Sequence, residues 1–72
     1  MVHEKRMNLL KFRGAMALTQ DVISSRIGVN RQYYAAVERG RINGNPDFWA
    51  KLQKAFDIPD SEMYPLQKIE ER

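Results

Sequence analysis

The sequence contains no cysteine and only one histidine among its 72 residues. Without cysteine the chain cannot form a disulfide, and the usual thiolate zinc sites are excluded. His3 has no second set of candidate ligands, so we expect no metal site and no cofactor. A domain this small, with neither a disulfide nor a structural metal ion, must pack its core well or bury surface against a partner.

Long apolar runs are also missing. No stretch approaches the roughly 18–20 apolar residues that a membrane span needs. The polar start, residues 1–6, does not lead into the apolar core of a signal peptide, so we expect a cytoplasmic protein. The sequence shows no repeat, low-complexity tract or linker, and its length allows one domain at most.

Signatures of catalysis are absent from the sequence as well. We find no paired carboxylate site, phosphate-binding loop or cofactor fingerprint. Ser24 and Ser25 have no histidine near them in sequence to act as a base, so we interpret both as small packing residues. The sequence therefore predicts a binding protein and not an enzyme.

Charge is distributed unevenly along the chain. Residues 1–41 carry eight basic and three acidic residues, whereas residues 42–72 carry four basic and six acidic ones. A basic half joined to a mildly acidic half is typical of a protein with one face for a polyanion. The alternative is an ordinary solvated surface whose asymmetry arose by chance.

Apolar spacing and chain breakers predict an all-α fold of four helices and a short fifth. No stretch shows sustained two-residue alternation. Thr19, Asn30, Asn45 and Asp60 are candidate N-caps, and Pro46 suits the first helical position. The predicted helices run from about 4 to 15, 19 to 28, 30 to 40, 45 to 58 and from 60 onward. We expect the domain to span 1–66 and the charged tail, 67–72, to fray.

The predicted helices each have one apolar face. The residues expected to point inward are Leu9, Phe12, Met16, Ile23, Ile27, Tyr34, Val37, Trp49, Leu52, Ala55 and Phe56.

The most informative stretch is 19–40. It predicts two helices of about nine residues joined by Gly28, Val29 and Asn30 alone. A turn of three or four residues that contains glycine makes two helices cross steeply, as in a helix-turn-helix. The second helix can then present its outer face to the major groove of DNA.

That outer face begins with Arg31 and Gln32. Arginine can fork onto O6 and N7 of guanine, and glutamine onto N6 and N7 of adenine. Ala36 can touch a thymine methyl group but cannot form a hydrogen bond to a base. The alternative is that these are solvated residues on an exposed helix.

The same residues resemble the phage lambda repressor and Cro-like helix-turn-helix proteins, the XRE family. The resemblance extends from Leu9 to Tyr64, and it is strongest over three segments: Leu18-Thr19-Gln20, Ile27-Gly28-Val29-Asn30-Arg31-Gln32 and Val37-Glu38-Arg39-Gly40. It implies a helix-turn-helix at about 19–39 with its recognition helix at 30–39. It further implies a transcriptional regulator, most often a repressor, that binds a pseudo-palindromic operator in double-stranded DNA as a homodimer.

The resemblance also implies roles for single residues. Arg31, Gln32 and Ala36 match positions that face bases, and Arg13 and Glu38 match a structural ion pair between the first and third helices. Gln20 matches a glutamine that holds a phosphate and supports the first base reader. The positions expected to contact the DNA backbone are Gln20, Asn30, Tyr33, Arg41 and Asn43. Tyr33 has an alternative place, along the second helix or against a partner chain.

The sequence departs from the family pattern at four places. Ala17 stands where glycine is common, so a left-handed conformation there would cost up to about 1 kcal/mol. Val22 is apolar where the family usually has an exposed polar residue. Ala36 reads no base by hydrogen bonding. The loop after the third helix, which includes Asn45, does not align cleanly, so the resemblance supports its phosphate contacts only weakly.

Phe48, Trp49, Met63 and Tyr64 present more apolar surface than a small domain easily buries. We therefore expect Trp49, Met63 and Tyr64 to contribute to a homodimer contact, the alternative being that all of them pack into the monomer core. The same surface motivates a second functional hypothesis. In it the helix-turn-helix is a scaffold for a protein-interaction module, such as an antitoxin, an antirepressor or a regulator subunit.

Overall fold

The computed structural model describes residues 5–69 and shows five helices. They are α1 (Met7–Ala15), α2 (Gln20–Ile27), α3 (Arg31–Glu38), α4 (Pro46–Phe56) and α5 (Asp60–Gln67). The predicted all-α fold is confirmed, and residues 28–30 join α2 to α3 as expected. The predicted start of the first helix at Glu4, the expectation for His3 and most of the charged end (70–72) lie outside the described residues.

Three of the four predicted N-caps are confirmed. The side-chain oxygens of Thr19, Asn30 and Asn45 accept hydrogen bonds from backbone N–H groups in the first turns of α2, α3 and α4. The strongest pair is at Asn30, where Oδ1 lies 2.7 Å from the nitrogen of Gln32 and 3.3 Å from that of Tyr33. These bonds satisfy donors that a helix leaves unpaired at its start.

The prediction that Asp60 caps the fifth helix is wrong. Pro59 occupies the cap position and makes no side-chain hydrogen bond, while Asp60 is the first helical residue. The Asp60 carboxylate instead accepts a hydrogen bond from Nε2 of Gln53 on α4. This carboxylate therefore links α4 to α5, which only the tertiary fold could reveal.

Four helices end in the same left-handed turn. The φ angle is positive at Ala17 (56°), Gly28 (76°), Gly40 (78°) and Asp57 (52°). In each turn the next N–H donates to the carbonyl five residues earlier, the bond of a Schellman motif. These bonds run from Leu18 to Arg13, Val29 to Ser24, Arg41 to Ala36 and Ile58 to Gln53, at 2.9–3.1 Å. The predicted glycine ends of α2 and α3 are confirmed, and Ala17 adopts the conformation that glycine prefers.

The core is one cluster to which every helix contributes. Its members are Leu9, Ile23, Ile27, Tyr34, Val37, Phe48, Trp49, Leu52, Ile58, Met63 and Leu66. Helix α1 packs against α3 and α5, while α2 packs against α3 and α4. Phe12 meets Phe56 edge to face, with ring centroids 5.4 Å apart, so α1 also contacts α4. Helix α3 therefore lies against three other helices, α1, α2 and α4.

Several packing predictions need correction. Met16 is 44% exposed because α1 ends at Ala15 and the chain turns away before the spacing can bring Met16 inward. Ala55 is exposed as well, since α4 buries the face that holds Phe48, Trp49 and Leu52.

The C-terminal end also differs from the prediction. Helix α5 continues through Pro65 to Gln67, one residue into the predicted tail, because Leu66 is buried and the Gln67 carbonyl accepts a hydrogen bond from Arg6.

Arg6 is the residue whose environment the sequence suggested least. It precedes α1, is 3% exposed, and its backbone N–H donates to the carbonyl of Glu38 at 3.0 Å. The first predicted helix, from about 4 to 15, includes Arg6, whereas α1 begins at Met7. No local pattern marks it, since all its partners lie far away in sequence.

Candidate nucleic-acid interface

Helix α3 is divided between an anchored face and an outward face. Tyr34 and Val37 are fully buried and hold α3 in the core. Arg31 and Gln32 are exposed at its N-terminal end, and within residues 5–69 their side chains make no hydrogen bond. Ala36 lies on the same helix and is half-buried. The unpaired donors of this helix therefore concentrate at its start.

A shallow groove runs between the start of α2 and the outward face of α3. It is lined by Gln20, Arg31, Gln32, Ala35 and Arg39. Two arginines give the groove positive charge, and the positive end of the α3 dipole adds to it. A phosphate or the acceptor edge of a base is the chemistry that this groove suits.

Beneath the groove lies a buried network centred on Glu38, which is 2% exposed. Its Oε2 accepts hydrogen bonds from Arg13 Nε and Tyr34 Oη, both at 2.8 Å. Its Oε1 accepts from Arg13 Nη2 at 3.2 Å and from Gln20 Nε2 at 3.0 Å. The two residues that the resemblance pairs are thus in bidentate contact, and the same carboxylate joins α1, α2 and α3.

The hydrogen bonds to Glu38 decide its charge. Burial by itself raises the pKa of Glu38, but the bonds from Arg13, Tyr34 and Gln20 outweigh it and hold the pKa below its ordinary value. Burial and the bond to Glu38 raise the pKa of Tyr34, so its hydroxyl keeps its proton and donates. The bond to Glu38 raises the pKa of Arg13. At neutral pH the network is an ion pair with a neutral tyrosine.

The ionised state of Glu38 also fixes the orientation of the Gln20 amide. A carboxylate only accepts hydrogen bonds, so Gln20 must turn its Nε2 toward Glu38. Its Oε1 and its second N–H are left for other partners. Gln20 and Arg31 line the same groove.

Tyr33 links α3 to the start of α4. Its Oη accepts a hydrogen bond from the backbone N–H of Asn45 at 3.1 Å, and its ring meets Phe48 edge to face with centroids 5.6 Å apart. The alternative of Tyr33 lying along the second helix is therefore wrong, because the ring turns toward α4. The hydroxyl proton of Tyr33 remains available to an acceptor outside the protein.

The α3–α4 loop (41–45) begins at the end of α3. Arg41 and Asn43 are exposed on it. The carbonyl oxygen of Asn43 accepts a hydrogen bond from Trp49 Nε1 at 3.0 Å, which fastens the middle of the loop to α4. Asn30 is exposed, and its Oδ1 is engaged as the α3 cap. Only its Nδ2 is left for a phosphate.

The aromatic and Met side chains expected at a dimer contact do not share one environment. Trp49 is 9% and Met63 is 7% exposed, so both belong to the monomer core. The expectation that they form surplus surface is wrong, because both side chains belong to the core cluster. Trp49 of α4 also bonds to the α3–α4 loop. Tyr64 is 72% exposed and is the member of the set that remains on the surface.

Residues 5–69 hold no group of three or more His, Cys, Asp or Glu side chains arranged to bind a metal ion. Within that range, none of the five helices is both long and apolar enough to cross a membrane.

Fold and groove together define a small all-α domain of the helix-turn-helix, DNA-binding class. A family model described as helix-turn-helix matches residues 9–63. The chain belongs to this family, the Cro/C1-type or XRE group of DNA-binding regulators. No curated protein and no solved structure gives a significant match to the chain.

Proposed function

We propose that this protein is a transcriptional repressor that binds a specific duplex DNA sequence by placing α3 in the major groove. The observation that carries the proposal is the division of α3. Its inner face is fully buried, whereas Arg31 and Gln32 at its start are exposed, and their side chains have no hydrogen-bond partner among residues 5–69. Side chains in that position on a helix-turn-helix contact base edges.

Direct readout is assigned to the start of α3. Arg31 suits guanine and Gln32 suits adenine, since both pairs form two hydrogen bonds. Ala36, which is half-buried on α3, adds contact with a thymine methyl group in the major groove of the DNA. In the proposed DNA complex the free oxygen of Gln20 would accept a hydrogen bond from Arg31, whose side chain makes none within residues 5–69 of the unbound domain, and the remaining N–H of Gln20 would donate to a phosphate.

Contacts to the DNA backbone supply most of the affinity. The candidates are Gln20 at the start of α2, Asn30 and Tyr33 at the start of α3, and Arg41 and Asn43 in the α3–α4 loop. Each contact made by a charged residue releases counterions, so binding weakens steeply as salt rises. Tyr33 offers its hydroxyl proton, because its oxygen already accepts from Asn45.

Repression follows from occupancy of a promoter by a dimer. Two copies related by a twofold axis would place their α3 helices about one turn of DNA apart on an inverted repeat. The exposed Tyr64 on α5 is the candidate contact between the two copies. Blocking the polymerase at such a site needs no further domain.

The proposal predicts that Gln32→Ala relaxes specificity at one base pair. Selection from a random duplex library would define the preferred sequence of the wild type. The variant should lose roughly 1–3 kcal/mol on that sequence and little on a duplex changed at the single contacted pair. The exposed Ser61→Ala on α5 serves as the matched control and should bind like the wild type.

Two outcomes would contradict this proposal. An equal loss by Gln32→Ala on every duplex would remove its role as a base reader. A wild type that enriches no sequence and binds DNA only weakly at low salt would favour the protein-interaction module, and purification of a protein partner would then replace the search for an operator.

A further inference from the structure

Arg6 donates all its side-chain hydrogen bonds to backbone carbonyls. Its Nη1 lies 2.6 Å from the oxygen of Val37 and 3.0 Å from that of Ile42. Its Nη2 lies 3.4 Å from the oxygen of Asn43, and its Nε lies 3.0 Å from that of Gln67. No carboxylate within residues 5–69 approaches Arg6 to within 4 Å. Its charge is met by carbonyl dipoles and by the Trp49 ring, 5.4 Å away.

These acceptors come from three places in the fold. Val37 belongs to the last turn of α3, Gln67 ends α5, and Ile42 and Asn43 lie in the α3–α4 loop. Carbonyls at the end of a helix lack partners within it and carry partial negative charge. One planar guanidinium with five donors therefore fastens two helix ends and a loop.

The α3–α4 loop is held from two sides. Arg6 contacts the carbonyls of Ile42 and Asn43, and Trp49 Nε1 donates to the same carbonyl of Asn43. The side chains of Arg41 and Asn43 remain exposed. The loop backbone is thus fixed from within the protein, while its polar side chains point outward.

We propose that Arg6 is a positioning residue for DNA binding, which fixes the α3–α4 loop so that Arg41 and Asn43 reach the phosphates beside the groove. The part of this inference that concerns DNA binding rests on the proposed function. Arg6 itself is 3% exposed, so in this proposal it acts through the loop and does not touch the DNA. Its effect is on the number of phosphate contacts and not on the choice of bases.

Arg6→Lys tests the proposal because it keeps the positive charge but lacks the planar guanidinium, whose three nitrogens donate to four carbonyls. At a temperature where the variant is fully folded, we expect affinity to fall about tenfold alike on the preferred and on a scrambled duplex. The plot of log K against log salt should become shallower by about one. Ile58→Val, a small change at a buried site between α4 and α5, is the control for lost stability and should keep the full slope.

A double-variant cycle separates positioning from general damage. If Arg6 positions the loop, Arg41→Ala should weaken binding clearly in the wild type and much less in the Arg6→Lys background. Additive losses, or an unchanged salt slope in Arg6→Lys, would overturn the proposal. If Arg6→Lys does not fold, Arg6→Gln, which keeps an N–H donor but lacks the guanidinium, replaces it, and a full salt slope in that variant would overturn the proposal.

A readout without DNA distinguishes failure of this inference from failure of the proposed function. The indole N–H resonance of Trp49 reports the position of the Asn43 carbonyl in NMR spectra. In Arg6→Lys we expect that resonance to shift and the amides of the loop to exchange faster. A wild type without sequence preference would refute the repressor proposal. An unmoved indole resonance with unchanged loop exchange would instead refute the role of Arg6.

Discussion

Ala17 is a residue held in a conformation that suits glycine. Its φ of 56° places its Cβ close to the following carbonyl, and this conformation costs an L-residue roughly 1–2 kcal/mol. Gly14 shows the reverse arrangement three residues earlier. It lies within α1 with open space where a Cβ would be, so alanine is the better residue there.

We therefore predict that Ala17→Gly stabilises the domain by about 0.5–1 kcal/mol, after the greater freedom of glycine in the unfolded chain is subtracted. Gly14→Ala should stabilise it by up to about 1 kcal/mol. Urea unfolding followed by circular dichroism measures both. Gly28→Ala is the matched control, since its φ is 76° with nothing near the added Cβ, and it should destabilise. A lower unfolding midpoint for Ala17→Gly would disprove the argument.

Most of what single residues do locally followed from sequence. The side chains of Thr19, Asn30 and Asn45 cap helices because each bonds to N–H groups two or three residues ahead. Such short-range bonds need no knowledge of the rest of the chain. Arg6 shows the limit, since its acceptors lie 31–61 residues away and include helix ends whose positions only the folded core sets.

Among the helices, the Glu38 network is what fixes α3 relative to α1 and α2. The pairing of Arg13 with Glu38 was implied by the family resemblance, whereas the bonds from Tyr34 and Gln20 were not expected. The Gln20 bond depends on the rotation of α2 about its axis, and the Tyr34 bond, made within α3 four residues apart, depends on both side chains being buried on the same face. Ala55 was misplaced for a similar reason: helical spacing identifies a possible inner face but not which of its edges the neighbours cover. Met16 was misplaced because α1 ends one residue before it.

This network predicts loss of stability in acid. The folded pKa of Glu38 lies below its unfolded value, so its contribution is complete above about pH 4.3 and is lost as pH falls through the folded pKa. Glu38→Gln should cost about 3 kcal/mol at pH 7, since it leaves Arg13 without its partner. The variant should also lose less stability than the wild type between pH 4 and pH 2.5.

The measurement is denaturant unfolding across that pH range. Glu62→Gln on α5 is the control, because Glu62 is exposed, and it should lose stability in acid as the wild type does. Were Glu38→Gln to show the same acid loss as the wild type, the network would not be the source of the pH dependence.

At the scale of the whole molecule, the structure separates a basic surface from a dimerisation candidate. Arg31, Arg39 and Arg41 are exposed on or just after α3, whereas Tyr64 is exposed on α5. The family and the all-α architecture were evident from the sequence. The burial of Trp49 and Met63 was not, because a count of apolar residues gives their total area and not how the monomer divides it between core and surface.

We predict that Tyr64→Ala weakens self-association while leaving the monomer nearly as stable, since 72% of this side chain is exposed. Analytical ultracentrifugation with and without the selected duplex would measure it. Binding should shift from inverted repeats toward single half-sites. Val22→Ala removes an apolar group that is 44% exposed on α2 and is the matched control. Unchanged dimerisation in Tyr64→Ala would place the contact elsewhere.

The division of α3 has a consequence for how such a protein can diverge. The contacts that hold α3 in place are made on its buried side and at its two capped ends. The side chains of Arg31 and Gln32 contribute nothing to this anchoring. A copy of the gene could therefore exchange these two residues and acquire a new operator in one or two mutational steps. Its fold would be retained throughout, so related regulators could separate their targets without passing through an unstable intermediate.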